Sequence, residues 1–300
     1  MHKQFGILAI CALVAGMSIA QAESDGVNLV LKAQPEDVER LQMVLEAQPE
    51  DVQARYVYRH PLETLEFFGI EPETDVVEAL PGGGWYTKIL LPYLGQDGSL
   101  IGADYAPDMY PLFGFFDDEF LESKKTWTTD WVKEANGWRT DDSAIVSAFV
   151  FGDLPEAFKG TADAVLLIRA LHNLYRFEPN GGYLTKALQN VYDILEPGGT
   201  VGVVQHRAPE GSSDEFADGS HGYLKQSDVI SKLEAAGFEF VASSEVNANP
   251  KDKPGEEDIV WRLPPSLATS RDDPEKAAEM KAIGESDRMT LRFRKPPMTP

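Results

Sequence analysis

The 300-residue sequence predicts an α/β fold, a doubly wound and mostly parallel sheet with helices on both faces. Three observations lead there. From about residue 74 onward, short apolar runs alternate with amphipathic stretches. The runs are near-continuously apolar, as strands buried on both faces are. The first of them, "VVEAL" at 76–80, opens into three glycines and then an amphipathic segment, the punctuation of a strand turning tightly into a helix.

The N-terminus reads as a leader. His2 and Lys3 form a weakly basic start, residues 5–17 are apolar, and Ala20-Gln21-Ala22 is an A-x-A cleavage site, so 1–22 is expected to be a signal peptide and the mature chain to begin at Glu23. The apolar run is short for a span of about 20 residues, which leaves an uncleaved anchor as the alternative. Cys11 follows Ile10 and makes a poor lipoprotein box. It is the only cysteine, so a cleaved chain holds no disulfide. The expected location is periplasmic or secreted, with no stable membrane insertion after cleavage. The net charge of −22, or −23 without Lys3, marks an acidic protein and argues against nucleic acid as a partner.

Residues 23–73 read as an N-terminal helical extension. "AQPEDV" occurs at 33–38 and again at 47–52, a locally duplicated helix turn. Over 35–55, Val38, Leu41, Val44 and Leu45 share a helix face. Pro61 starts a short helix with Leu62, Leu65 and Phe68 spaced for burial, and Gly69 ends it. The main domain, 74–300, follows. Strands are expected at 74–80, 98–105, 143–153, 162–171, 199–207, 238–246 and 288–296. Helices are expected at 85–94, where Pro92 ends or kinks the helix, at 184–195 before "EPGG", and at 226–237 with Ser227 at its cap. The alternation of Met289, Leu291 and Phe293 suits an edge strand. Two stretches break the rhythm, an aromatic one at 106–142 and a proline- and charge-rich one at 247–286. Both read as excursions or lids.

In an open α/β sheet, ligands bind beyond the carboxyl ends of the strands, and the bend after the first strand is such a place. Its glycines allow close backbone approach, and the following helix offers free N–H groups. The dinucleotide pattern G-x-G-x-x-G fails, because Thr87 occupies the third glycine position from Gly82. The pattern E-x-G-x-G-x-G fits at Glu78, Gly82 and Gly84, with Leu80 in place of the first glycine.

That segment resembles motif I of the class I S-adenosylmethionine-dependent methyltransferases. "LIGADYAP" resembles motif II, "FGDLPEAF" the next, and "ADAVLLIRALHNLY" and "LEPGGTVGVVQHR" motifs IV to VI. "GYLKQSDVISKLEAAGFEFV" and "DRMTLRFRKP" resemble the last helix and final strand pair of the small-molecule branch. More narrowly, "YRHPLETLEFFGI", "PGGGWYTKILLPYL" and "RFRKP" look like a family of exported methyltransferases of bacteria. The resemblance implies a Rossmann-like doubly wound sheet with an antiparallel last strand, and S-adenosylmethionine as cofactor.

By the same resemblance, Glu78 accepts from the cofactor ammonium, while Pro81, Gly82, Gly83 and Gly84 pass its methionine part. Asp104 takes the ribose hydroxyls and Asp153 the adenine amine, with Phe151 or Leu154 on the ring. Each has a plainer alternative: a tight turn for Gly82–Gly84, a helix cap for Asp104 and for Asp153. His172 and His206 are the candidate bases, since imidazole titrates near neutrality, and either could instead be a packed or solvent-facing loop residue. Arg169 would anchor a carboxylate or pair with an acid, and Asn173 and Tyr175 would orient substrate. Arg59 and His60 either close over the cofactor or form a surface turn. Trp127 and Trp131 either pack a lid or cage a substrate. Histidines 60, 172, 206 and 221 have no ligand spacing, so no metal is expected.

The expected function is methyl transfer to a small-molecule O, N or S nucleophile. An exported enzyme would be separated from a cofactor made inside the cell. One alternative is therefore an exported binding protein without chemistry, and a second is an NAD-dependent oxidoreductase, disfavoured by Thr87.

Overall fold

The structure, a computed structural model, describes residues 34–298; the leader, its cleavage site and the start of the extension lie outside these. Eight strands form the sheet: β1 Asp75–Ala79, β2 Ser99–Asp104, β3 Ile145–Val150, β4 Ala162–Ile168, β5 Leu195–Ala208, β6 Leu224–Lys225, β7 Glu239–Ser244 and β8 Arg288–Arg294. Their order is β3-β2-β1-β4-β5-β8-β7, with the short β6 beside β5. Pairings from β3 through β5 are parallel, and β8 runs antiparallel to both of its neighbours. The expected α/β sheet with an antiparallel last strand is therefore what forms.

Alternate residues of each strand enter two separate cores. Val76, Leu100 and Leu166 face one side, under the helices Pro35–Glu46, Pro61–Phe68, Thr87–Leu94 and Trp127–Asn136. Val77, Ile101, Leu167 and Val203 face the other, under Tyr183–Ile194 and Gln226–Ala235. The extension thus forms part of the first layer. Phe68 lies against the bare backbone of Gly202, where a Cβ would come within 2.7 Å of its ring. Both copies of the duplicated hexapeptide start a helix, at Pro35 and at Glu50. Among the described residues no helix is long and apolar enough to cross a membrane.

Several expectations are corrected. β8 is interior, and the edge is β7, whose residues are mostly exposed. The first two polar alternates of β8, Arg288 and Thr290, do not face water. The Arg288 guanidinium donates to the Tyr58 carbonyl, and the Thr290 hydroxyl accepts from Asn247, both beneath the N-terminal extension. An alternating pattern signals an edge only when its polar side stays wet. Ser227 is not a helix cap: it lies in the first turn, where Glu210 accepts from its N–H at 3.2 Å. Pro92 neither ends nor interrupts its helix before Leu94; Gly95 follows there. His172 is in no loop, since Leu171–Arg176 is a short helix.

Candidate active site

The strand order reverses between β1 and β4, and a crevice opens there beyond the carboxyl ends. It holds a cavity of about 510 Å3, within the size range of small-molecule sites. From the β1 side its wall is Leu80, Pro81 and Gly82; Asp104 comes from the tip of β2. Arg169 and His172 follow β4, and His206 lies near the end of β5.

The bend is built as a cradle. Leu80 takes a left-handed backbone, φ 52°, and its N–H donates to the Ala103 carbonyl at 2.7 Å, tying the bend to β2. That conformation is costly for a residue with a Cβ and normally goes to glycine. Gly82 is left-handed too, φ 54°, and a Cβ on Gly83 would meet no atom within 4 Å, so the backbone there is bare. Gly84 serves packing instead, because Trp138 lies where its Cβ would be.

Glu78 lies behind the bend and is not part of the cavity wall. Its Oε2 accepts from the Thr87 hydroxyl at 2.6 Å. Burial pushes its carboxyl up to about 7, against the opposing pull of the Thr87 hydrogen bonds. Asp104 is fully engaged. Oδ1 accepts from the Tyr105 N–H at 2.8 Å and from the Tyr110 hydroxyl at 2.6 Å, and Oδ2 receives Lys124 Nζ at 2.9 Å. Lys124 also stands over the Tyr110 ring, 4.5 Å from its centre. Asp153 is exposed on a neighbouring cavity of about 520 Å3, which it shares with Ala106 and Phe151. Lys124 borders both spaces. Leu154 packs half-buried against the core and lines neither. The three carboxylates therefore do not converge on one space.

The base candidates lie side by side, with His172 and His206 ring centres 5.7 Å apart. Burial pushes the His172 imidazole down to about 4; Gln205 opposes that fall, and Arg169 and Arg176 add to it. His206 is likewise lowered, by burial and then by His172 and Arg169, and its Nδ1 lies 2.6 Å from the Ser286 hydroxyl. Both rings are neutral at pH 7. Arg169 takes a left-handed backbone, φ 58°, held by its N–H to the Val204 carbonyl at 2.6 Å. Asn173 donates to the Tyr105 hydroxyl at 3.3 Å and lines an aromatic space of about 450 Å3 with Tyr110, Phe113 and Trp261. Tyr175 is not brought to the cavity. Its hydroxyl donates to the Asp228 carbonyl at 3.0 Å, pointing it at the helix Gln226–Ala235.

Arg59 is no surface turn: it is buried, stacked 4.5 Å from the Trp85 ring and bonded to Glu285. His60 is half-buried, with φ 39°. The tryptophan pair divides its roles. Trp131 is buried over Gly102, while Trp127, 5.8 Å away, reaches the cavity wall. Sequence reasoning passed over Tyr110, Lys124, Glu285 and Arg288. The pair Lys124-Lys125 inside an aromatic excursion of an acidic chain was the one signal available for the second of these.

No family model and no curated protein matches the chain. Solved structures do. The cyclase SpnF is 16% identical, over 80% of this chain and 81% of that one, with TM-score 0.49. A SAM dependent methyltransferase from Aquifex aeolicus is 13% identical over 85% and 98%, with TM-score 0.47. CrArsM, an arsenic (III) S-adenosylmethionine methyltransferase from Chlamydomonas reinhardtii, is 13% identical over 86% and 74%, with TM-score 0.43.

Proposed function

We propose that the chain is an exported enzyme that transfers a methyl group from S-adenosylmethionine to a small-molecule O, N or S nucleophile. The observation that carries this reading is the cavity at the strand-order reversal, bordered by a bare glycine bend on one strand tip and a carboxylate on the next. The residues present fit such a cofactor at two points. The bare backbone of Gly82 and Gly83 leaves room for the methionine part, and Asp104 is the acceptor a ribose needs. Lys124 has to leave Asp104 first, because it occupies Oδ2. Glu78 would serve an ammonium from behind the bend, and a cation there would return its carboxyl to the ionised form.

When bound, the cofactor would supply a methyl group made transferable by its sulfonium. The protein's part is placement and exclusion of water. His172 Nδ1 is sealed from solvent, so Nε2 is the nitrogen left to take a proton from an O–H, N–H or S–H acceptor. Its neutrality at pH 7 suits that task, and its low basicity limits it to acidic acceptors or a proton already shared.

The Lys124–Asp104 pair favours a second reading, an exported binding protein that keeps the architecture without the chemistry. Thr87, buried and bonded to Glu78, offers nothing to an NAD pyrophosphate. Calorimetric titration of the purified chain with S-adenosylmethionine and with NAD separates these readings. Heat with the first alone supports the enzyme. No heat with the first removes it. N-terminal sequencing of the exported form tests the location, with Glu23 expected first.

A further inference from the structure

The structure concentrates positive charge where an acidic chain would be expected to have none. Arg55, Arg59 and Arg288 all bond one carboxylate, Glu285. Arg55 Nε lies 2.7 Å from Oε1, Arg288 Nη1 3.1 Å and Arg59 Nε 3.3 Å from Oε2. Glu285 and Arg169 line the same cavity of about 130 Å3, next to the larger one, and Arg169 borders both. Among the described residues the Arg169 guanidinium has no hydrogen bond and no ion pair. Three guanidiniums thus share one carboxylate, and a fourth, Arg169, stands at the same cavity unpaired among the described residues. Arg59 and Arg288 are buried, yet Arg59 Nη1 and Arg288 Nε have no hydrogen-bond partner among the described residues. A buried donor without a partner is costly, more so when charged, so native proteins rarely keep several in one place. Asp287, the next acid along the chain, is already held by Arg207 at 2.8 Å.

We propose that Arg169, backed by Arg59 and Arg288 around Glu285, is a subsite for an oxyanion, a carboxylate or phosphate carried by the methyl acceptor. The small cavity admits one compact group. Its remaining wall is Val260, Trp261 and the 263–266 loop, together with Ser286 and His206. The apolar part of that wall, Val260, Trp261 and the 263–265 loop, lowers the local polarity and strengthens a charge-assisted contact. The planar, forked guanidinium suits either oxyanion. The left-handed backbone of Arg169 departs from the direction of β4 and places the side chain at the junction of the two cavities, so an anion there would sit beside the methyl-transfer space. The electrostatics agree. Burial, then the neighbouring arginine Arg288, pushes Arg169 down to about 10. Burial, then Arg169, pushes Arg59 down to about 9. An added negative charge would relieve both.

The link to a methyl acceptor rests on the proposed function, whereas the subsite itself can be read without it. The purified chain is titrated at constant ionic strength with inorganic phosphate and, separately, with sodium acetate, chloride being the balancing ion. Tryptophan fluorescence is the readout, since Trp261 lines the cavity and Trp85 stacks on Arg59. Saturable change with phosphate assigns a phosphate-bearing acceptor, and with acetate alone a carboxylate-bearing one. Arg169→Gln is expected to weaken the binding about tenfold or more, the loss of a charged hydrogen-bond pair. Arg294→Gln, at the far end of β8 and paired with Glu239, should leave it unchanged. If the Gln variant fails to fold, Arg169→Asn is used, because asparagine tolerates the left-handed backbone. Saturation by neither anion, or equal binding by the Arg169 variants, overturns the proposal. Titration with S-adenosylmethionine is run alongside. Anion binding without cofactor binding keeps the subsite and removes the methyltransferase reading, and the reverse result removes only the subsite.

Discussion

Replacing Glu78 by glutamine reports directly on what the bend does to its carboxyl. In the native protein this buried group, bonded among the described residues to Thr87 alone, holds its proton up to about pH 7, against an ordinary value of 4.5. The unfolded chain releases that proton earlier. Between pH 4.5 and about 7 the native state therefore binds more protons, and stability falls as the pH rises through that window. The difference amounts to about 3 kcal/mol by pH 8, at 1.36 kcal/mol per pH unit. Glu78→Gln keeps an oxygen for the Thr87 hydroxyl and cannot ionise. Urea unfolding of both proteins at pH 4.5, 6 and 8 should show the variant gaining on the parent by about 3 kcal/mol across the series, with about half of the gain already present at pH 6. Comparing the two proteins at each pH cancels every other titrating group. A flat difference, or one that favours the parent at high pH, would refute the argument that burial dominates this site. A flat difference accompanied by tight cofactor binding at pH 8 would show that the carboxylate is ionised and already partnered.

Three further outcomes are expected. His172, held near 4 by burial against an ordinary 6.5, makes the native state the weaker proton binder in that range. The His172 contribution to stability should therefore fall by about 3 kcal/mol from pH 6.5 down to 4, opposite in sign to that of Glu78, and His172→Asn should gain on the parent by that amount when the two are melted side by side across the range. Lys124→Met, which frees Asp104 Oδ2, should tighten S-adenosylmethionine binding several-fold by calorimetry, while Asp104→Ala should abolish it; weaker binding by the Lys124 variant would mean that the ammonium helps hold the ligand. Gly202→Ala drives a methyl group to within 2.7 Å of the Phe68 ring and should cost about 1–3 kcal/mol in denaturant unfolding, with unchanged stability showing that the extension repacks freely.

The parallel strands were legible because burial on both faces leaves an unbroken apolar run, a pattern that helices of this length do not produce. The bend was legible because close backbone approach to a ligand needs glycine, and Gly82 and Gly83 are bare as a cradle requires. β8 was misread as an edge since two of its polar alternates, Arg288 and Thr290, are buried and bonded to Tyr58 and Asn247, partners remote in the chain. Tyr175 was misassigned because its hydroxyl is taken by the Asp228 carbonyl, 53 residues away, a partner that no local pattern reveals.

What the sequence by itself determined is local or periodic: the order of strands and helices, the two-sided burial of the sheet, the glycine bend and the charge balance. Each of these depends on neighbours a few residues apart. Only the tertiary structure decided which charges meet. Lys124 reaches Asp104 across 20 residues, and Arg55 and Arg59 reach Glu285 across more than 200. β8 runs antiparallel, so its first residue, Arg288, arrives opposite His206 at the ligand end of the sheet. An ion pair is set by distance in space, and no pattern in the chain encodes a distance that the fold alone creates.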